Sequence, residues 1–400
     1  MRPIYLDNNA TTRVDSEVVA AMLPYLTEHF GNASSMHMFG AEVGGALKVA
    51  RQRIQELLGA EHDHEIVFTS GGTESDNAAI LSALETQAGR NEIVTSAVEH
   101  PAILSLCKHL ADTRGIKVHH IPVDARGRLD LDAYRKALNS KTAIATIMWA
   151  NNETGTIFPV EKLAQLAHEA GALFHTDAVQ ALGKSPRHLK ATEIDVLSVS
   201  GHKLHAPKGV GALYVRRGVR FRPLLRGGHQ ERGRRAGTEN APAIIALGRA
   251  AELASASLRD EQTRVRAMRD RLEAGLTASI ECAIIAGDVD NRLPNTTNIA
   301  FEFIEGEAIL LLLNRAGIAA SSGSACTSGS LEPSHVLRAM NIPYTAAHGA
   351  IRFSFSRDNT EADVDAVLEA MPPLIAKLRE ISPFWREGER EQDKFKPSYA

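Results

Sequence analysis

Two hydrophobic periods alternate along most of this chain. Short apolar runs rich in β-branched residues fall at 65–68, 92–95, 117–123, 142–149 and 172–175. Between them, apolar positions recur three and four residues apart at 102–113, 131–138 and 160–170. The first pattern predicts strands and the second helices. Strands that alternate with helices imply βαβ units and a mostly parallel sheet. Before this block, IYL predicts a short strand, and 16–29 and 40–58 predict helices. After it, 194–200 and 210–215 predict two further strands, and 241–278 reads as one long helical link. Beyond the link lie strand patterns at 283–285, 297–303 and 351–355, and helical ones at 307–316, 334–340 and 361–379. The fold class is therefore α/β: a large domain over 15–257, and a smaller α+β domain formed by 1–14 and 258–400.

Composition narrows the classes of function. Four hundred residues with 44% apolar content suffice for two cores. A net charge of −3 speaks against nucleic acid as a partner. No run of eighteen apolar residues predicts a membrane span, and the start, MRPIYLDNNATTRV, has no signal-peptide core. Three cysteines without paired spacing, Cys107, Cys282 and Cys326, suggest a reducing, cytoplasmic setting. The stretch LLRGGHQERGRRAGTEN is too poor in aromatics for a nucleic-acid surface; it suits a phosphate or a subunit interface.

Chemistry enters with residues 194–215, IDVLSVSGHKLHAPKGVGALYV. Two apolar runs flank a tight turn with Lys203 at its tip. Apolar neighbours lower a lysine's pKa and free its amine to attack a carbonyl. A solvated loop lysine is the ordinary alternative, but Ser200 and His202 add a hydroxyl and an imidazole suited to phosphate. We read Lys203 as the lysine whose amine joins the aldehyde of pyridoxal phosphate (PLP). The remaining requirements of PLP are met at strand ends, where ligands of parallel sheets bind. Asp177 is the candidate partner for the pyridine nitrogen. His100 is the candidate to stack on the ring and carry protons, the alternative being a helix-capping histidine. Gln180 is suited to donate to the phenolic oxygen. In TSGGTESDN, a strand runs through Gly71 and Gly72 into a helix from about Thr73, which aims N–H groups at an anion. Thr73 acting as a plain N-cap, with Asp76 completing the pattern, is the competing account. Thr238 is a phosphate contact from a second subunit.

Taken together, LDNNATT, TSGGTESDN, VEHPAI, NNETGT, HTDAVQALGK, SVSGHKLHAPKGVGALYV, RRAGTEN and SSGSACTSGSLEPSHVLRAM resemble the cysteine desulfurases of the NifS/IscS group, and SSMHMFG and the cysteine loop are nearest the NifS form. The resemblance covers nearly the whole chain. It implies a fold-type-I PLP-dependent transferase, a large domain with a seven-stranded-type sheet, and a homodimer with active sites near the subunit interface. It also implies cofactor roles for Gly72, Thr73, His100, Asp177, Gln180, Ser200, His202, Lys203 and Thr238, and it adds Asn152 as a cofactor or substrate contact.

Cys326 is the residue specific to the reaction. It stands in SSGSACTSGS, too small and polar for core, whereas Cys107 and Cys282 have apolar neighbours and are read as core. The implied reaction takes sulfur from L-cysteine. Lys203 moves the Cα proton, the Cys326 thiolate attacks the substrate sulfur, and a persulfide on Cys326 and alanine result. Arg352, in GAIRFSFS, is the expected clamp for the substrate carboxylate, with Asn152 and Asn8 adding bonds; an arginine in a salt bridge is its ordinary alternative. The expected acceptor is an iron–sulfur scaffold protein, with Cys326 also a candidate iron–sulfur ligand through its persulfide. No nearby CxxC suggests a metal cage within the chain. The competing readings are a selenocysteine lyase or aminotransferase on the same fold, and a sulfur carrier with a vestigial site.

Overall fold

The computed structural model describes residues 2–185, 188–322 and 333–385. Its strands are β1 (Ile4–Tyr5), β2 (Ile66–Thr69), β3 (Glu92–Ser96), β4 (Lys117–Ile121), β5 (Thr142–Thr146), β6 (Leu173–Asp177), β7 (Val196–Ser200), β8 (Gly211–Val215), β9 (Ala283–Ile285), β10 (Thr296–Phe301), β11 (Ile318–Ala319) and β12 (Ala350–Ser354). A seven-stranded sheet runs in the order β2-β8-β7-β6-β5-β3-β4. Strands β4, β3, β5, β6 and β7 are parallel, and β8 is antiparallel to both neighbours. Every residue of β2, β3, β5, β7 and β8 is buried. Helices cover both faces, so these strands read as continuous apolar runs instead of alternating ones.

The helices follow from their apolar stripes. In Met38–Leu58 the buried residues Val43, Leu47, Ala50, Ile54 and Leu58 step by three or four, and Gly59 closes the helix at φ 61°. Burying a side chain such as Ile54 or Leu58 stabilises by about 1.5–3 kcal/mol. This helix packs along Ala241–Asp260, where Gly248 lies so close to Ala50 that a Cβ would sit 2.5 Å from the Ala50 Cα. A second apolar cluster gathers Leu6, the Arg266–Ser279 and Glu361–Ile381 helices, β10 and β12. Residues 336–350 contribute to the first cluster instead.

Several expectations shift. The helix anticipated over 16–29 is two pieces, Ser16–Met22 and Pro24–Thr27, because Pro24 starts a new turn. The single link over 241–278 is two helices joined by a π-turn at Glu261–Val265; such turns are rare and frequent at functional sites. Strand β11, which pairs in parallel with β1, and the short Tyr344–Ala347 helix carry too little periodicity to have been anticipated. Among the described residues, no helix is long and apolar enough to cross a membrane.

Candidate active site

Carboxyl ends of β3, β6 and β7 converge on one place. After β3 comes His100, at the end of β6 stand Asp177 and then Gln180, and β7 ends at Ser200 before the turn Gly201–Lys203. Parallel strands order these residues side by side although up to a hundred positions separate them. The N-terminal loop crosses above them. Lys203 Nζ donates to the backbone carbonyls of Asn9 and, at 2.7 Å, Ala10. Thr12 donates through its amide (2.9 Å) and hydroxyl (3.0 Å) to the carbonyl of His202.

Burial sets the electrostatics. It lowers the Lys203 amine to about 7, with Arg352 and Lys184 adding like charge. Asp177 is pushed up by burial and drawn back by the Val179 N–H, which donates to Oδ1 at 2.8 Å, and by the charges of His100 and Lys203. His100 is lowered by burial and again feels Asp177 and Lys203. Its Nδ1 accepts from the Ala102 amide at 3.1 Å, so this histidine does cap the Pro101–Arg114 helix. The cap occupies one ring nitrogen and leaves Nε2 for other work. His202 is held down to about 4, chiefly by burial, and its Nδ1 lies 3.2 Å from the Thr11 hydroxyl.

The anion cup has a geometric basis. The Gly72–Thr86 helix begins after Gly71, which caps it with no side-chain bond and sits at φ 155°. Thr73 is exposed and is not the N-cap, so the capping account is replaced by an open helix N-terminus. A Cβ on Gly72 would lie 3.0 Å from Val179 Cγ2 and 3.7 Å from Ser200 Cβ. The bare glycine thus leaves room between the start of the helix, Val179 and the Ser200 end of β7. Asp76, expected to complete a capping pattern, is instead fully buried below the sheet end. Its Oδ1 is without a hydrogen-bond partner and lies 3.7 Å from His175 Nε2.

The other candidates divide. Asn152 accepts through its carbonyl from Asn9 Nδ2 and Arg352, both at 3.1 Å. Arg352 is buried and pairs at 2.7 Å with Asp7, while its Nε has no acceptor. Asn8 turns its amide to the Ser354 carbonyl at 2.9 Å, and the loop residue that meets Lys203 is Asn9. Thr238 is exposed on the loop after Gln230–Gly233. That loop is pinned by Glu231, which takes a bidentate pair from Arg51 at 2.7 and 2.8 Å. Cys326 lies outside the described residues. Cys107 is core, its thiol pushed up to about 12 by burial. Cys282 is only partly buried, in a turn at φ 51°.

Residues that periodicity could not single out complete the site. Lys184 and Glu99 are buried: burial lowers the Lys184 amine to about 8 and raises the Glu99 carboxyl to about 8. The sequence signal available was the place of Lys184 in HTDAVQALGK, four positions after Gln180. Among the described residues no cluster of three His, Cys, Asp or Glu side chains could hold a metal.

The residues fit PLP on their own chemistry: a desolvated amine, a buried carboxyl within reach of its charge, and an uncapped helix N-terminus beside Ser200. A lysine so placed on a parallel sheet defines a PLP-dependent enzyme. The chain belongs to the class-V aminotransferase family, whose model matches residues 4–367 and whose enzymes depend on PLP. It is 75% identical to a cysteine desulfurase of Gluconacetobacter diazotrophicus over 400 residues, all of both chains. It is 66% identical to the cysteine desulfurase NifS of Azotobacter vinelandii, covering 96% of each. Among solved structures, a NifS-like protein superposes with a TM-score of 0.88 at 39% identity, covering 94% of this chain and all of the other.

Proposed function

We infer that this chain is a cysteine desulfurase that takes sulfur from L-cysteine and leaves L-alanine. The observation that carries the reading is the buried Lys203 amine, lowered to about 7, held on the Asn9 and Ala10 carbonyls and within charge range of His100 and Asp177, in a chain of such high identity to desulfurases. PLP, when bound, supplies an electron sink that labilises the bonds at the substrate's α and β carbons. Gly72, Thr73, Ser200 and His202 would hold its phosphate, with Thr238 reaching in from a second subunit. Asp177 would face its ring nitrogen, His100 its ring face, and Gln180 its phenolic oxygen.

The chain's own groups then have defined work. Arg352, buried and carrying an Nε without an acceptor, binds the substrate carboxylate with Asn152 and Asn8 in its wall. Lys203, neutral in a large fraction near pH 7, takes and returns the proton at the α carbon. His100 manages the proton of the substrate thiol through Nε2. The Cys326 thiolate attacks the substrate sulfur, forming an S–S bond as the C–S bond breaks. The C–S electron pair stays with the carbon fragment, which takes up a proton and leaves as alanine. The outer sulfur of the persulfide is passed to an iron–sulfur scaffold protein in the cytoplasm, as an acceptor thiolate attacks it and the Cys326 thiolate leaves. The NifS name of one relative supports nitrogenase as the destination, and Cys326 as a passing iron–sulfur ligand belongs to the same proposal. The division into 15–257 and the remainder is part of it too, supported by the second apolar cluster.

Mass spectrometry after incubation with L-cysteine tests the reading. Cys326→Ala should retain PLP absorbance yet give neither persulfide nor alanine, and Lys203→Ala should lose turnover. Full-rate desulfuration by either variant would sink the assignment.

A further inference from the structure

Lys203 is not the only desolvated lysine here. Lys184 ends the turn that follows β6, and its ammonium is buried among polar atoms. It donates to Gln180 Oε1 at 3.2 Å and to Asn9 Oδ1 at 3.3 Å. An ammonium has no acceptor, so each amide must present its oxygen to it. The consequences propagate in a fixed direction. With its oxygen committed, Gln180 turns Nε2 to the carbonyl of Asn9 at 2.9 Å, the same carbonyl that receives Lys203 Nζ. With Oδ1 committed, Asn9 turns Nδ2 to Thr296 Oγ1 at 2.8 Å and to the Asn152 carbonyl at 3.1 Å.

We propose that Lys184 is a positioning residue for Lys203: by donating to Gln180 Oε1 it fixes which way round the Gln180 amide lies, and with Asn295 Nδ2, which also donates to Asn9 Oδ1 at 3.1 Å, it holds the Asn9 amide, and so sets where the carbonyl that receives Lys203 stands. The π-turn supplies the counter-group. It buries Glu261, whose Oε2 has no hydrogen-bond partner and whose carboxyl feels the charge of Lys184. Both residues line one cavity with Lys203. The groups that face the two lysines are Asp7, Asp177, His100, His202 and Arg352 around Lys203, and Glu261 and Arg352 around Lys184. Only the consequence for PLP affinity rests on reading Lys203 as the cofactor lysine.

The test uses the cofactor-free full chain and asks at what pH Lys203 becomes reactive, by reductive methylation at a series of pH values read by mass spectrometry. Lys184→Met removes the donor and a like charge. Gln180→Met breaks the relay and leaves the Lys184 charge in place. Relieved of the like charge of Lys184, or of Gln180 as the competing donor to the Asn9 carbonyl, the Lys203 ammonium is better stabilised, so both variants should raise its midpoint by about one pH unit. A parallel titration with PLP should show affinity lower by about tenfold in Lys184→Met, whose side chain is assigned no contact with the cofactor. An unmoved midpoint in Gln180→Met, where no charge is removed, or in Lys184→Met would overturn the proposal, since a purely structural relay would lower thermal stability without moving the midpoint in Gln180→Met. Lys184→Met with Glu261→Gln carries the same expectation and replaces the single variant should that fail to fold. Wild-type protein that labels near pH 7 but never takes up PLP would defeat the functional reading and leave this inference standing.

Discussion

Glu99 shows how far one buried group can depart from its ordinary chemistry. Burial raises its carboxyl to about 8, against the bonds it accepts from the Ser96 hydroxyl (2.6 Å) and the Met148 amide (3.0 Å). The folded state therefore keeps a proton that the unfolded chain releases near 4.5. This contribution to stability is complete below pH 4.5 and is lost as pH rises through about 8. Lys203 works in the opposite sense. Its penalty is complete below about 7 and is relieved as pH climbs toward the unfolded value of 10.5. Glu99→Gln retains one accepting oxygen for Met148 and a donor for Ser96, with nothing to ionise. Thermal midpoints of cofactor-free protein between pH 5 and 8 should therefore fall less steeply in Glu99→Gln than in wild type. Equal slopes would show that Glu99 is ionised throughout. Motif reading found His100 and Asp177 because they stand at strand ends. It placed Asn9 only within the LDNNATT loop and passed over Lys184, because nothing local distinguishes a buried lysine from a surface one.

At the scale of elements, the junction of β2 with the Gly72–Thr86 helix separates binding from folding. Alanine favours a helix over glycine by about 1 kcal/mol, while a Cβ at position 72 would press on Val179 at 3.0 Å and narrow the N-terminal cup. Gly72→Ala should therefore keep or slightly raise the thermal midpoint and weaken PLP binding by roughly tenfold, the scale of one charge-assisted hydrogen bond. Unchanged PLP affinity, measured by absorbance titration, would remove this helix end from the cofactor site. The strands and most helices were legible because buried parallel strands and amphipathic helices imprint their periods on the sequence. The break at Glu261–Val265 was not. A π-turn needs one extra residue per turn, and the apolar stripe runs through it with little change of phase.

For the whole molecule, the exposed loop carrying Thr238 is the part of the chain proposed to reach the site of a second subunit. Glu231 and Arg232 hold left-handed backbone at φ 49° and 57°, kept there by the buried Arg51 pair. Strain of this kind persists where the surroundings over-determine it. In the proposed homodimer, light scattering should give twice the chain mass of 43.2 kDa, and Thr238→Ala should lower PLP affinity several-fold without dissociating the dimer. A monomer that binds PLP with full affinity would contradict the shared site.

The amino-acid order alone determined the alternation of strand and helix, the parallel sheet, the lysine-centred chemistry and the resemblance to desulfurases, because period and motif are local properties that survive without contacts. What only the tertiary structure decided is which groups are dry and which way they face. Arg352 leans on Asp7, Asn8 is spent on Ser354 while Asn9 meets Lys203, and Lys184 lies beneath the site. Desolvation and hydrogen-bond direction depend on residues brought together from distant parts of the chain, and no window of sequence contains them.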